Sequence, residues 1–153
     1  MSTSSSSTAA GDPFDLGRFL DAQQGVHEQA LAELKAGRKR SHWMWFVFPQ
    51  IAGLGISPTA MHYAIRNRAE AQAYVAHPVL GPRLLACAQA LLQVTGRSAE
   101  QIFGYPDVLK LKSSMTLFAA LPDADPVFAA VLERYYGGSG DDRTLKLLAQ
   151  ADE

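Results

Sequence analysis

The sequence predicts an all-α fold, a single compact domain of six or seven short helices. Three observations carry this. Apolar residues recur at three- and four-residue spacing along most of the chain, with Ser, Asp, Pro and Gly standing where helices start and stop. Outside one aromatic run, no segment reads as a convincing strand, so a strand would lack a partner. The chain has 153 residues, 48% of them apolar, enough to bury one core without metals or disulfides.

Residues 1–11, rich in Ser and Thr, contain no apolar stretch for a signal peptide and read as a disordered tail. The folded domain is therefore expected over residues 12–150. Asp15 is the expected first N-cap. After it Leu16, Phe19, Leu20, Gln23, Val26, Ala30, Leu31 and Leu34 recur on one helical face, and Gly37 stands at C′. Gly25 lowers helical propensity there without ending the pattern. Lys35, Arg38 and Lys39 complement the negative end of that helix, which is one full explanation of the basic cluster.

The run Ser41-His42-Trp43-Met44-Trp45-Phe46-Val47-Phe48-Pro49-Gln50 follows, and it holds both tryptophans of the chain. Six unbroken apolar residues do not distinguish a short helix from a short buried strand. The missing strand partner favours a helix or an irregular buried segment. Gly53 and Gly55 then mark a loop that permits close backbone approach. They follow no strand, so a dinucleotide-binding or phosphate-loop reading is rejected.

Ser57 with Pro58 opens a helix expected to reach about Asn67, with Met61, Ala64 and Ile65 inside. Further helices are expected over residues 69–76 and 82–94, the latter burying Leu84, Cys87, Ala88 and Leu91. Ser98 and Gln101 have capping-box spacing, opening a turn that Gly104 stops. A helix from Asp107 to about Ala120 is unusual in carrying Ser113, Ser114 and Thr116 together, since hydroxyls bring no helical advantage and can admit a close neighbour. Asp125-Pro126 starts the next helix, which Gly137 ends, and Gly140-Asp141-Asp142 leads into the last.

Charge restricts the partners. A formal net charge of −1 provides no global field for duplex nucleic acid. No span is long enough for a membrane. The single cysteine, Cys87, rules out an internal disulfide, sits in an apolar run and suits a reducing cytoplasm. His27, His42, His62 and His77 lack metal-ligand spacing, so neither a metal nor another cofactor is expected. No Gly-x-Ser-x-Gly elbow surrounds Ser113 or Ser114.

Two stretches hold more polar and aromatic chemistry than packing requires, residues 38–50 and 110–116. If they meet, Arg38, Lys39 and Lys112 would bind phosphate. Trp43 or Trp45 would stack on a ring. Gln50, Ser113 and Ser114 would bond sugar or base edges. Cleavage of such a ligand would need proton transfer, for which His42 is the first candidate, with Glu33 and Asp107 behind it. The geometric requirement is that Arg38, His42, Lys112 and Ser114 line one concavity. The competing reading is a non-catalytic helical interaction module, with the aromatics as core and the cations at a helix end.

The same two stretches, with Asp12-Pro13-Phe14-Asp15-Leu16, resemble the bacterial family called domain of unknown function 1810, over nearly everything from Asp12 to Ala149. That resemblance implies no activity. Residues 107–148 also resemble the NADAR family, whose members are linked to ADP-ribose and N-glycosidic chemistry. The shared pattern is a helix ending in an aromatic, an apolar helix with a leucine at its end, a glycine-bearing turn and Thr144-Leu145. NADAR proteins commonly carry Lys-Phe where this chain has Leu117-Phe118, so no lysine role carries over there. Together these imply an uncharacterised cytosolic protein that binds or hydrolyses an ADP-ribose-like or NAD-like nucleotide.

Overall fold

The first predicted helix is two helices. In the computed structural model, which describes residues 11–152, α1 (Gly17–Gln23) and α2 (His27–Lys35) are separated by Gly25, whose φ is +75°. A positive φ ends an α-helix and is open to glycine without a Cβ penalty, so Gly25 breaks the chain that periodicity alone continues. The cap is also displaced from Asp15, which itself has φ +54°. Asp12 accepts instead from the Leu16 and Gly17 amides, at 2.6 and 2.8 Å. The predicted disordered tail lies outside the described residues except for Gly11.

Ten helices lie among the described residues, where six or seven are expected. After α2 come α3 (Met44–Val47), α4 (Pro58–His62), α5 (Arg68–Ala76), α6 (Leu80–Gln93), α7 (Ala99–Phe103), α8 (Asp107–Ala119), α9 (Pro126–Tyr136) and α10 (Asp142–Ala151). The excess comes from the break at Gly25 and from single-turn segments such as α3. The expected caps at Ser57, Ser98 and Asp125 form, and Ser98 and Gln101 make the full reciprocal capping box.

The aromatic run settles as one helical turn, α3, followed by extended backbone. The Ile65 amide donates to the Gln50 carbonyl and the Ala52 amide to the Ile65 carbonyl, both at 2.8 Å, an isolated parallel bridge. This explains why α4 stops at His62 rather than near Asn67. Ile65 is fully buried, and its backbone groups are engaged by the loop and not by a helix. Met61, expected inside, is 66% exposed.

Helix α6 packs on α2, α5 and α9, while α8 packs on α9, α10, α7 and α3. Rings link four of these elements through the core. Phe19 lies 5.0 Å from Tyr74, Tyr74 lies 5.7 Å from Phe118, and Phe118 lies 5.6 Å from Phe128. Such pairs add about 0.5–1.5 kcal/mol each beyond the area they bury. Cys87 belongs to this core, and burial pushes its thiol up to about 12, so it carries no thiolate at neutral pH. No single helix among the described residues is long and apolar enough to cross a membrane.

A buried ionic knot, unforeseen from the sequence, ties α1 to the start of α5. The Glu70 carboxylate is fully buried and bonds Arg18 at 2.7 Å and Arg66 at 2.9 Å. Arg18 also donates to the carbonyls of Phe14, Asp15, His62 and Ala64. Loss of either partner would strand a buried charge.

Candidate functional site

Helix α2 ends in a Schellman turn, with the Gly37 amide on the Leu34 carbonyl and the Arg38 amide on the Glu33 carbonyl. The chain then folds back over the Glu33 side chain. Its Oε1 accepts from the Arg40 and Ser41 amides and the Trp43 indole at 2.8, 3.1 and 2.9 Å. Its Oε2 accepts from the Ser41 hydroxyl at 2.7 Å and the Gln29 amide at 3.1 Å. Burial pushes the carboxyl up, but these donors outweigh burial and bring it down to about 2. Glu33 is therefore an ionised, fully engaged anchor for the turn that follows it.

Asp107, the first residue of α8, joins that turn to the next region. Its carboxylate bonds Lys39 at 2.8 Å and Lys110 at 3.2 Å. Burial pushes its carboxyl up, while the two ammonium groups pull it, on balance, below the usual range. Each lysine also lies over a tryptophan. The Lys39 ammonium is 5.1 Å from the centre of the Trp43 ring, and that of Lys110 is 4.1 Å from the Trp45 ring. One carboxylate thus holds two lysines, and through them both indoles.

Trp45 is half-buried and lines two adjoining chambers. One, of about 350 Å³, is cationic: Lys110 and Lys112 from α8 and Arg143 from α10 meet Trp45, Gln50 and Ser113 there, with Asp141 at the edge. The other, of about 330 Å³, is mostly apolar, with walls that include Leu54, Ala60, Met61 and Tyr63. Gln50, Leu54 and Gly55 belong to both. A Cβ built on Gly55 would come within 2.6 Å of the Ala60 Cβ, so a side chain there would displace the wall. Gly53 and Gly55 both line the apolar chamber.

The hydroxyls of α8 admit a helix end. Ser113 donates to Asp141 Oδ2 at 3.1 Å, the Asp141 amide donates to Thr116 Oγ1 at 2.9 Å, and Asp141 caps α10 through the Thr144 amide and hydroxyl. This brings Arg143 to the cationic chamber. Sequence reading missed Arg143, Asp141 and Lys110 as site residues. A signal existed for Arg143, because a cation in the first turn of a helix opposes the dipole and invites another explanation.

Of the residues expected at the site, Trp45, Gln50, Lys112 and Ser113 share the cationic chamber. Lys39 lies behind it on Asp107, and its side chain is 7% exposed. Trp43 is core, bonded to Glu33. Ser114 is fully buried, with its hydroxyl unpartnered, and lines neither chamber. Arg38 and His42 are exposed and line neither chamber. The requirement that Arg38, His42, Lys112 and Ser114 line one concavity is therefore not met, since Lys112 alone of the four lines a chamber. The two stretches meet instead through Trp45, Gln50, Lys112 and Ser113. Among the described residues no three His, Cys, Asp or Glu side chains gather in a way that could hold a metal ion.

The fold recurs in a solved structure. The crystal structure of the conserved hypothetical protein Rv1873 from Mycobacterium tuberculosis is 59% identical, covers 90% of this chain and 99% of its own, and superposes with a TM-score of 0.88. No curated protein matches the chain. The profile of the family described as "Protein of unknown function (DUF1810)" matches residues 13–148. That match spans most of the sequence, and on it the chain belongs to the DUF1810 family.

Proposed function

We propose that this protein binds a nucleotide-like small molecule of the ADP-ribose or NAD class at the junction of α3, α8 and α10. The observation that carries this reading is the shared chamber, in which an indole and a buried amide adjoin Lys110, Lys112 and Arg143. Two lysines act as point charges toward phosphate, and an arginine offers a planar fork. The donors to Asp141, from Ser113 and Thr144, all go to Oδ2, which leaves Oδ1 to accept from a sugar hydroxyl. Chambers of this size suit one small ligand. The ADP-ribose class itself rests only on the sequence resemblance of residues 107–148 to NADAR proteins, which neither the family match nor the solved structure shows.

Binding is better supported than cleavage. A proton-transfer group must reach the bond it breaks. His42 is exposed outside the chambers, Glu33 has its acceptor sites engaged, and Asp107 is held by two lysines. The test is a thermal-shift and calorimetric titration with ADP-ribose, NAD, AMP and ribose 5-phosphate. Saturable binding is expected, weakened about tenfold in Lys112→Ala and by added salt. If the folded protein binds none of these four, the reading is wrong.

A further inference from the structure

Two buried glutamines in this fold have opposite fates. Gln23, 2% exposed, donates to the Phe46 carbonyl at 2.8 Å and to the Tyr74 hydroxyl at 3.0 Å, and accepts from Arg83. Gln50 is 8% exposed, and its Nε2 has no hydrogen-bond partner. A buried amide donor left unmade is costly, whereas an apolar residue of similar volume in its place would carry no such cost. Gln50 lies where the two chambers join, lining both.

We propose that the apolar chamber beside Trp45 is a second subsite, taking the planar uncharged ring of the ligand, and that Gln50 selects rings presenting a hydrogen-bond acceptor. This rests on the phosphate-binding reading of the cationic chamber and goes beyond it by assigning a ring chemistry and a selecting residue. The chamber matches that occupant. Trp45 and Tyr63 supply aromatic faces or edges, and Leu54, Ala60 and Met61 supply apolar walls. The orphan Nε2 has almost no accessible surface, so the Gln50 amide must turn toward the chamber for a carbonyl or a ring nitrogen to satisfy it. Phosphate and ring then occupy adjoining chambers on either side of the residues common to both, Trp45, Gln50, Leu54 and Gly55.

The test compares three probes on the full chain: AMP, phenyl phosphate, whose ring has no acceptor, and ribose 5-phosphate, which has no aromatic ring. Wild type is expected to prefer AMP to both others by roughly tenfold to a hundredfold. In Gln50→Leu the preference for AMP over phenyl phosphate should collapse, and the unliganded melting temperature should rise. Gln50→Met, which also lacks the amide, should behave alike and guards against a misfit of the branched leucine. Retention of the AMP preference in both folded variants overturns the role of Gln50. Equal binding of all three probes to wild type overturns the ring subsite but leaves the phosphate reading intact. Failure of every probe to bind wild type overturns the phosphate reading, and the subsite with it.

Discussion

Trp43 and Trp45 are two residues apart, and each lies under a lysine held by Asp107, yet their surroundings are opposites. Around Trp43 the polar account closes. Its indole bonds Glu33, and Glu33 takes four further donors from the same turn and from α2. Around Trp45 it stays open at the unpartnered Gln50 amide, although Lys110 is held by Asp107 and Arg143 donates to the Gly53 carbonyl at 3.2 Å. A polar group that is buried and satisfied organises structure; one that is buried and unsatisfied on a residue lining an open chamber, as at Gln50 but not at Ser114, points to a missing partner. On the proposed reading, the first tryptophan serves stability and the second recognition.

The largest effect should fall on the closed side. Glu33→Ala is expected to destabilise the fold by about 3 kcal/mol, read by urea unfolding, because several buried donors lose a charged acceptor together. The pH dependence follows from the same carboxyl. Its folded value of about 2 lies below the ordinary 4.5, so its contribution is present above about pH 4.5 and disappears as pH falls toward 2. Glu33→Ala should therefore flatten the acid limb of the stability profile in that window. A variant that loses under about 1 kcal/mol would remove Glu33 from its place as anchor.

A matched pair of substitutions sharpens the contrast. Trp43→Phe should cost about 2 kcal/mol, through the lost indole bond to Glu33 and a smaller buried ring. Trp45→Phe should cost less than about 0.5 kcal/mol, the residue being only partly buried and its indole making no hydrogen bond to Glu33. Nucleotide binding should follow the reverse order, weakened by Trp45→Ala with the fold retained. Equal stability losses at the two positions would erase the distinction.

The smallest effect is expected at Ser114, whose hydroxyl is buried without a partner. Ser114→Ala should be neutral or stabilising by up to about 1 kcal/mol. Ser113→Ala, which loses the bond to Asp141, should destabilise by about 1 kcal/mol. A destabilising Ser114→Ala together with a neutral Ser113→Ala would reverse their assigned roles.

Much of the site was legible as ingredients but not as an arrangement. Residue type and position within the two polar stretches point to Trp45, Gln50, Lys112 and Ser113, and these share a chamber. His42 and Arg38, chosen by the same criterion, face outward because the turn around Glu33 carries them there. Asp107 looked like an acid because nothing local shows that Lys39, 68 positions upstream, neutralises it alongside Lys110.

What the residues alone determined is local: the helical class, the caps at Ser57, Ser98, Asp125 and Gly137, and an aromatic run that belongs to the core. These depend on neighbours within about one helical turn, whose spacing is written in the chain. What only the tertiary structure decided is which polar groups find partners. The satisfaction of Glu33, the Arg18–Glu70–Arg66 knot, the arrival of Arg143 beside Trp45 and the isolation of Gln50 each depend on where helices end and cross. A hydrogen bond is made or lost over less than one ångström, a precision that residue spacing does not encode and packing does.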